Sequence, residues 1–142
     1  MPGATILFDG SVPPDGGTMT QEPQPTTYDL YEQGRARLEN GNAAGAAELL
    51  ELAVEQEPEK ASLHEALGRA YFATAHLTWA REQFERALEL HPTDDFAHFV
   101  IGRCFERQGR LAEAAKYYKL ACALAPREDY TTALARVRDR TG

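Results

Sequence analysis

The sequence predicts an all-α solenoid of antiparallel helix pairs with seven helices. Three observations lead to this fold. First, the chain matches itself without a gap between Thr27 and Glu128 when it is shifted by 34 residues, and periods of roughly 20 to 50 residues are typical of stacked repeats. Second, apolar residues recur at helical spacing within each period. Third, an amphipathic stretch follows the last period, and a solenoid needs such a terminal element.

Composition excludes several classes of protein. The 142 residues carry a net charge of −7 and are 43% hydrophobic, which is ordinary for a globular domain. The negative charge argues against a general nucleic-acid or membrane-surface binder. No apolar run approaches the ~20 residues that span a bilayer, and two cysteines are too few for a disulfide scaffold. Without a targeting segment, we expect a cytoplasmic location.

Residues 1–26 differ from the rest of the chain. They contain five of the eight prolines and no Lys or Arg. A segment of this composition buries too little apolar surface to offset the entropy of ordering, so we predict a flexible tail. The alternative interpretation is that Ile6-Leu7-Phe8-Asp9 is a short peptide that docks on another surface.

Three units follow the tail, at 27–60, 61–94 and 95–128. Each unit reads as two helices, and the proline near its end stops the second helix. Small residues at equivalent places let the paired helices approach closely. The equivalent residues are Gly34, Gly68 and Gly102; Ala46, Ala80 and Ala114; Ala53, Ala87 and Ala121; and Pro58, Pro92 and Pro126.

The turns inside the units differ in their chemistry. Gly41 and Gly109 suit the left-handed conformation that ends a first helix, and Asn42 can cap the helix that follows. Unit two has Ala75-His76 at this place. The same turn there should cost about 1 kcal/mol, because an L-residue with a side chain resists that conformation.

Residues 129–142 form the predicted capping helix. Asp129 is the expected N-cap. One helical face is apolar and contains Tyr130, Ala133, Leu134 and Val137. Arginines near the end of the segment suit the negative end of the helix dipole.

These units resemble the tetratricopeptide repeat (TPR). The resemblance covers most of 27–129 and is clearest in two runs, Leu67-Gly68-Arg69-Ala70-Tyr71 and Ile101-Gly102-Arg103-Cys104-Phe105. Unit one departs from the pattern at Gln33 and Arg37, and His64 and His98 stand where the family most often has Trp. The resemblance implies a right-handed superhelical solenoid whose first helices line a concave groove. It also implies a protein–protein interaction module, an adaptor or scaffold, that binds a partner in that groove.

The resemblance places a set of arginines and aromatic residues on the groove. Arg35, Arg69 and Arg103 stand at equivalent positions, one in each unit. Arg and aromatic residues dominate interface hot spots, and Arg binds carboxylates through a planar fork. We therefore expect a partner peptide with acidic and apolar side chains. The alternative is that Arg solubilises this face while Phe72 and Phe96 are half-buried packing residues. The predicted binding residues are Tyr28, Tyr31, Arg35, Arg69, Phe72, Phe96, Phe99, Arg103 and Arg107.

One known mode of partner binding in the family is not supported. The Lys and Asn places of the clamp that holds chaperone C-terminal tails are occupied by other residues, of which only Arg35 is basic. Those residues are Tyr31, Arg35, Ala66, Phe96 and Val100.

The sequence shows no catalytic motif, so we predict neither an enzyme nor a bound cofactor or metal. It has no phosphate-binding Gly-rich loop, nucleophile elbow or His-Glu-x-x-His motif. Cys104 and Cys122 are expected to be buried, reduced thiols, and His64 and His98 to be packing residues rather than metal ligands.

A second function remains open, which is self-assembly through the solenoid ends or the convex face. Residues 27–60 hold eight acids and three bases, a net of −5, whereas residues 95–128 hold four acids and six bases, a net of +2. Such a charge difference can stack subunits head to tail. Trp79 is expected on the convex side, either as a secondary contact surface or partly shielded by a neighbouring helix.

Overall fold

A computed structural model describes residues 24–141. Within this range the chain forms seven α-helices and no strand, as predicted. The predicted tail, apart from residues 24–26, and the Ile6–Asp9 peptide lie outside the described residues. None of the described helices is long and apolar enough to cross a membrane. The helices are α1 (Thr27–Glu39), α2 (Ala43–Gln56), α3 (Ala61–Ala73), α4 (Leu77–Leu90), α5 (Asp95–Arg107), α6 (Leu111–Leu124) and α7 (Glu128–Thr141).

The helices stack in chain order as a solenoid. Each helix packs against its neighbours in sequence, and α1 also contacts α3. The close approach inside each pair depends on glycine, as predicted. A Cβ atom at Gly68 would lie 2.6 Å from the Phe84 ring, and one at Gly102 would lie 2.7 Å from the Tyr118 ring. Because glycine has only a hydrogen atom where other residues have Cβ, large aromatic rings can fill these two helix crossings.

The three turns inside the pairs share one backbone conformation. Gly41 and Gly109 have φ of 82° and 78°, and Ala75 takes φ of 63° at the equivalent place. The same left-handed turn therefore forms at Ala75 without glycine. Asn42 caps α2 as predicted, since its Oδ1 accepts a hydrogen bond of 2.9 Å from the Gly45 backbone N–H.

One predicted cap is wrong. The last helix begins at Glu128, so Asp129 lies in the first turn rather than at the N-cap. Two acidic residues in that turn face the positive end of the helix dipole, which favours starting the helix two residues earlier than an N-cap at Asp129 implies. The helix then buries Tyr130, Ala133, Leu134 and Val137 on one face, as predicted.

The predictions for His64 and Cys104 are confirmed, and that for Cys122 is wrong. His64 is buried, its Nε2 donates to the Pro58 carbonyl at 2.7 Å, and its Nδ1 lies 2.8 Å from the Gln83 side-chain amide. Cys104 is fully buried, and burial raises the pKa of its thiol to about 11. Cys122 is only half-buried, because helix α6 has one solvent face and this residue lies at its edge.

Candidate functional site

A cavity of about 180 Å³ opens between α3 and α5. We call it the α3–α5 cavity. Residues spaced three or four apart on each helix share one face, so both helices turn aromatic and basic side chains toward the same space. Five of the nine predicted binding residues meet there. The cavity is lined by Arg69, Phe72, Phe96, Phe99, Val100 and Arg103.

Arg103 joins the two sides of this cavity. Its guanidinium lies 5.0 Å from the ring centroid of Phe72 on α3 and 6.0 Å from that of Phe99 on α5. The guanidinium of Arg107, one turn further along α5, also lies 5.0 Å from the Phe72 ring. Cation–π contacts of this length are attractive. Arg107, a predicted binding residue, is thus attached to the cavity through Phe72.

The aromatic residues of the cavity are only partly covered. Phe96 is 38% exposed, and Phe72 and Phe99 are half-buried. Phe96 also contacts the buried Phe84 edge to face, with 6.1 Å between the ring centroids. These rings therefore pack against the core on one side and leave apolar surface accessible on the other.

The basic residues of the cavity are accessible to an external group. Arg69 and Arg103 are exposed, and among residues 24–141 neither takes part in an ion pair within 4 Å. An Arg with an accessible planar fork can bind a carboxylate through two hydrogen bonds. The cavity thus combines apolar surface with two cationic groups.

The three predicted residues of α1 lie outside the residues that line the α3–α5 cavity. Tyr28 is 71% exposed, and Tyr31 is half-buried with the Arg35 guanidinium 5.6 Å from its ring. Arg35 itself lies 3.5 Å from Glu32 and 3.7 Å from Glu39. The three repeat-equivalent arginines therefore differ, because Arg35 is neutralised on its own helix.

A carboxylate pair beside the cavity was missed by the sequence reasoning. Glu65 lies one turn before Arg69 on α3, and its side chain is hydrogen-bonded to that of Asp94, the N-cap of α5. Burial and the nearby Asp94 charge raise the pKa of Glu65 to about 7. The sequence could not indicate this pair, because it depends on the packing of two helices from different units.

A model of the tetratricopeptide repeat matches residues 31–94 and 75–129. The chain belongs to the tetratricopeptide repeat family. Together the two matches run from residue 31 to residue 129 and include both helices that form the cavity. No curated protein sequence matches the chain significantly.

Several solved structures share this fold, and one of them is a TPR domain. The first TPR of Spaghetti (RPAP3) is 20% identical, with a TM-score of 0.79, and the likeness covers 82% of this chain and 93% of that one. The type III secretion chaperone SycD of Yersinia enterocolitica is 15% identical, with a TM-score of 0.76 and coverage of 81% and 94%. MamA is 19% identical, with a TM-score of 0.80 and coverage of 83% and 70%. At these identities the likeness concerns the fold.

The TPR groove continues from the α3–α5 cavity toward the capping helix. A second cavity of about 570 Å³ shares Phe99 and Arg103 with the first and extends along α7. Arg136 of α7 lies on its wall and donates two hydrogen bonds to the Glu106 carboxylate, at 2.7 and 2.8 Å. Arg136 has no equivalent within the three TPR units, so the repeat pattern could not indicate it.

Glu106 holds the capping helix of this TPR protein in place. Besides Arg136, its carboxylate accepts a hydrogen bond of 2.6 Å from the Tyr118 hydroxyl on α6, and Arg140 lies 3.5 Å away. The bonds from Arg136, the largest influence, lower the pKa of Glu106 to about 2. The wall of the second cavity is therefore tied to α5 and α6 by one carboxylate.

Trp79 lies away from both cavities and is half-buried. Its ring stacks on His76, with 4.6 Å between centroids, and leans against Tyr71 at 5.5 Å. These contacts shield much of the indole. Of the two predicted possibilities for Trp79, the structure therefore shows partial shielding, by His76 and by the first helix of its own unit.

Proposed function

We propose that this TPR protein is a non-enzymatic interaction module that binds a peptide segment of another protein in its concave groove. In this proposal the α3–α5 cavity takes a large apolar side chain, and Arg69 and Arg103 bind carboxylates beside it. The observation that carries the proposal is that one cavity combines three accessible aromatic rings with two arginines that lack an ion-pair partner among residues 24–141.

The size of the cavity fits this role. Apolar cavities of about 150 Å³ hold a benzene ring, and the α3–α5 cavity measures about 180 Å³. Burial of an aromatic or leucine side chain stabilises a complex by roughly 1.5 to 3 kcal/mol. Charge-assisted bonds from Arg then favour peptides that place an acid next to that side chain.

Two structural neighbours support the peptide-binding part of the proposal. The structure of the first TPR of Spaghetti (RPAP3) is described as bound to the HSP90 peptide SRMEEVD, and that of SycD is in complex with a peptide of the translocator YopD. The first of these peptides contains acidic residues and a methionine. The cavity residues of this chain favour a different sequence, because Phe96 and Val100 stand at clamp places where the family has polar residues.

A selection from a random peptide library tests the proposal. The full chain is immobilised, and enriched peptides are measured against the wild type and against R69E/R103E. The matched control is K116E/K119E, which reverses two charges on α6. We expect enriched peptides to pair a large apolar residue with an acid. R69E/R103E should bind these peptides at least about tenfold more weakly than the wild type does, and the control should change their affinity by less than about twofold. Enriched peptides that bind R69E/R103E as tightly as the wild type would contradict the proposal.

Self-assembly is the second candidate, and one surface favours it. Leu120 and Leu124 on α6 are each 42% exposed, and Leu120 lines a cavity of about 550 Å³ between α6 and α7 together with Lys116, Lys119 and Arg138. Sedimentation equilibrium of the wild type and of L120S distinguishes the two candidates. A dimer that L120S dissociates would favour self-assembly, and a monomer at all concentrations would leave peptide binding as the function.

A further inference from the structure

We propose that the α3–α5 cavity is occupied in the free protein by the chain's own segment Ile6-Leu7-Phe8-Asp9, which a partner peptide must displace. This inference rests on the proposed function, because it names an occupant of the same groove. It makes the N-terminal segment an intramolecular competitor of the partner.

The chemistry of the segment matches that of the cavity. Ile6-Leu7-Phe8 is the densest apolar cluster in the first 23 residues, and Asp9 follows it directly. The cavity offers accessible aromatic rings beside Arg69 and Arg103. Phe8 in the cavity would place the Asp9 carboxylate one residue away, within the range of an arginine on its rim.

Charge favours this cavity over the nearer part of the solenoid. Residues 1–23 contain three acids and neither Lys nor Arg. The first repeat unit, 27–60, carries a net charge of −5 and repels such a segment, whereas residues 95–128 carry a net of +2. The two accessible arginines of the cavity lie at the border between residues 61–94, with five acids and three bases and so a net charge of −2, and the positive residues 95–128. An acidic segment that leaves α1 is therefore attracted toward the α5 side of the cavity.

The chain is long enough to reach the cavity. Helix α1 begins at Thr27 and contacts α3, and α5 is one unit further. Packed helices lie about 8 to 10 Å apart, so the cavity is about 20 Å from α1. Fifteen residues lie between Asp9 and Pro25, and at about 3.3 Å per residue they span up to about 50 Å. The segment therefore reaches the cavity without being fully extended.

The other apolar and basic surface is a poorer site for this segment. The cavity between α6 and α7, lined by Lys116, Lys119 and Arg138, lies on the last helices of the solenoid. A path from α1 around the stack to α6 crosses about four helix spacings, or about 40 Å. The linker would then be close to full extension, which removes most of its conformational entropy.

Tethering makes the occupant effective even when its intrinsic affinity is low. A tether of this length gives an effective concentration on the order of 1 mM. A segment whose isolated dissociation constant is about 100 μM would then fill the cavity in roughly nine molecules out of ten, and an added peptide would bind about tenfold more weakly than to an empty groove.

Fluorescence anisotropy with a labelled peptide of residues 1–23 tests the inference. The peptide is titrated with the full wild-type chain and with the full-length variant I6S/L7S/F8S, whose own segment lacks the apolar cluster. Circular dichroism checks that both chains fold alike. We expect the variant to bind the peptide about tenfold more tightly than the wild type does. Adding R69E/R103E to the variant should abolish binding, whereas adding K116E/K119E should leave it within twofold.

Three results of the binding experiment would overturn the inference. They are failure of the triple variant to bind the peptide, equal affinity of the wild type and the triple variant, and loss of binding in the K116E/K119E background. A wild-type dimer in sedimentation equilibrium that I6S/L7S/F8S dissociates would also overturn it, because the segment would then occupy a second copy. Library-selected peptides separate this failure from failure of the proposed function, since they would still bind the triple variant and still depend on Arg69 and Arg103.

Discussion

The guanidinium of Arg103 on α5 lies 5.0 Å from the ring centroid of Phe72 on α3, and this contact joins two successive repeat units across the α3–α5 cavity. The guanidinium of Arg103 faces the Phe72 ring, while its exposed N–H groups stay available to a partner. The contact therefore belongs both to the packing of the solenoid and to the proposed binding surface.

Replacement of Arg103 separates the effect of shape from the effect of charge. R103K retains the positive charge but lacks the planar fork, so we expect a library-selected peptide to bind about threefold to tenfold more weakly. R103E reverses the charge and should abolish binding. The free energy of unfolding should fall by less than about 1 kcal/mol in R103K, because Arg103 is exposed. Isothermal titration and urea unfolding measure the two quantities, and equal peptide affinity of R103K and the wild type would refute the role of the guanidinium fork.

Peptide binding should strengthen as the pH falls from 8 to 6. The pKa of Glu65 is about 7, so over this range the carboxyl loses its negative charge and no longer offsets the charge of Arg69. E65Q should bind an acidic peptide more tightly at pH 8 and show a flatter pH profile, measured with a peptide whose own acids are ionised throughout. E82Q on the exposed face of α4 is the matched control. A steep profile in E65Q would assign the pH dependence to another group.

The contributions of Glu65 and Glu106 to the free energy of unfolding should change with pH in opposite directions. The pKa of Glu65 is raised from 4.5 to about 7, so between these pH values the folded state binds more protons than the unfolded state does. The contribution of Glu65 to the free energy of unfolding therefore falls as the pH rises through that window. The lowered pKa of Glu106 contributes stability above the ordinary value of 4.5, and this is lost as the pH falls toward 2.

E106Q tests the attachment of the capping helix. At pH 7 we expect the free energy of unfolding to fall by about 2 kcal/mol, because the charge-assisted bonds from Arg136 are lost. Near pH 2 the variant and the wild type should converge, since the carboxylate is then increasingly protonated in both the folded and the unfolded wild type. Urea unfolding at the two pH values measures this. E89Q, on the exposed side of α4, should change stability by less than about 0.5 kcal/mol.

Substitution of Gly68 tests the close packing of helix pairs. In G68A the added Cβ would lie 2.6 Å from the Phe84 ring, and we expect a loss of about 1 to 3 kcal/mol from overpacking. The control A135G sits on the exposed face of α7 and should cost about 0.5 to 1 kcal/mol through helix propensity alone. Thermal unfolding compares the two, and a G68A variant as stable as the wild type would show that the crossing relaxes freely.

The repeat architecture was predictable because the residues that determine it recur every 34 positions. A glycine at each helix crossing and a proline after each second helix act on the local backbone, and the same local rules apply in every unit. The turn at Ala75 illustrates this, since the structure keeps the left-handed conformation there although glycine is absent. The first residue of α7 was misplaced by two positions because both Glu128 and Asp129 suit the first turn of a helix.

By itself, the sequence assigned each helical position to a face, and its resemblance to the tetratricopeptide repeat implied which of those faces lines the groove. Only the tertiary structure decided which of those residues act together. Arg35, Arg69 and Arg103 are equivalent in the repeat, yet Arg35 pairs with its helical neighbours while the other two line one cavity. Contacts between helices of different units set the site, and their distances depend on how the units stack.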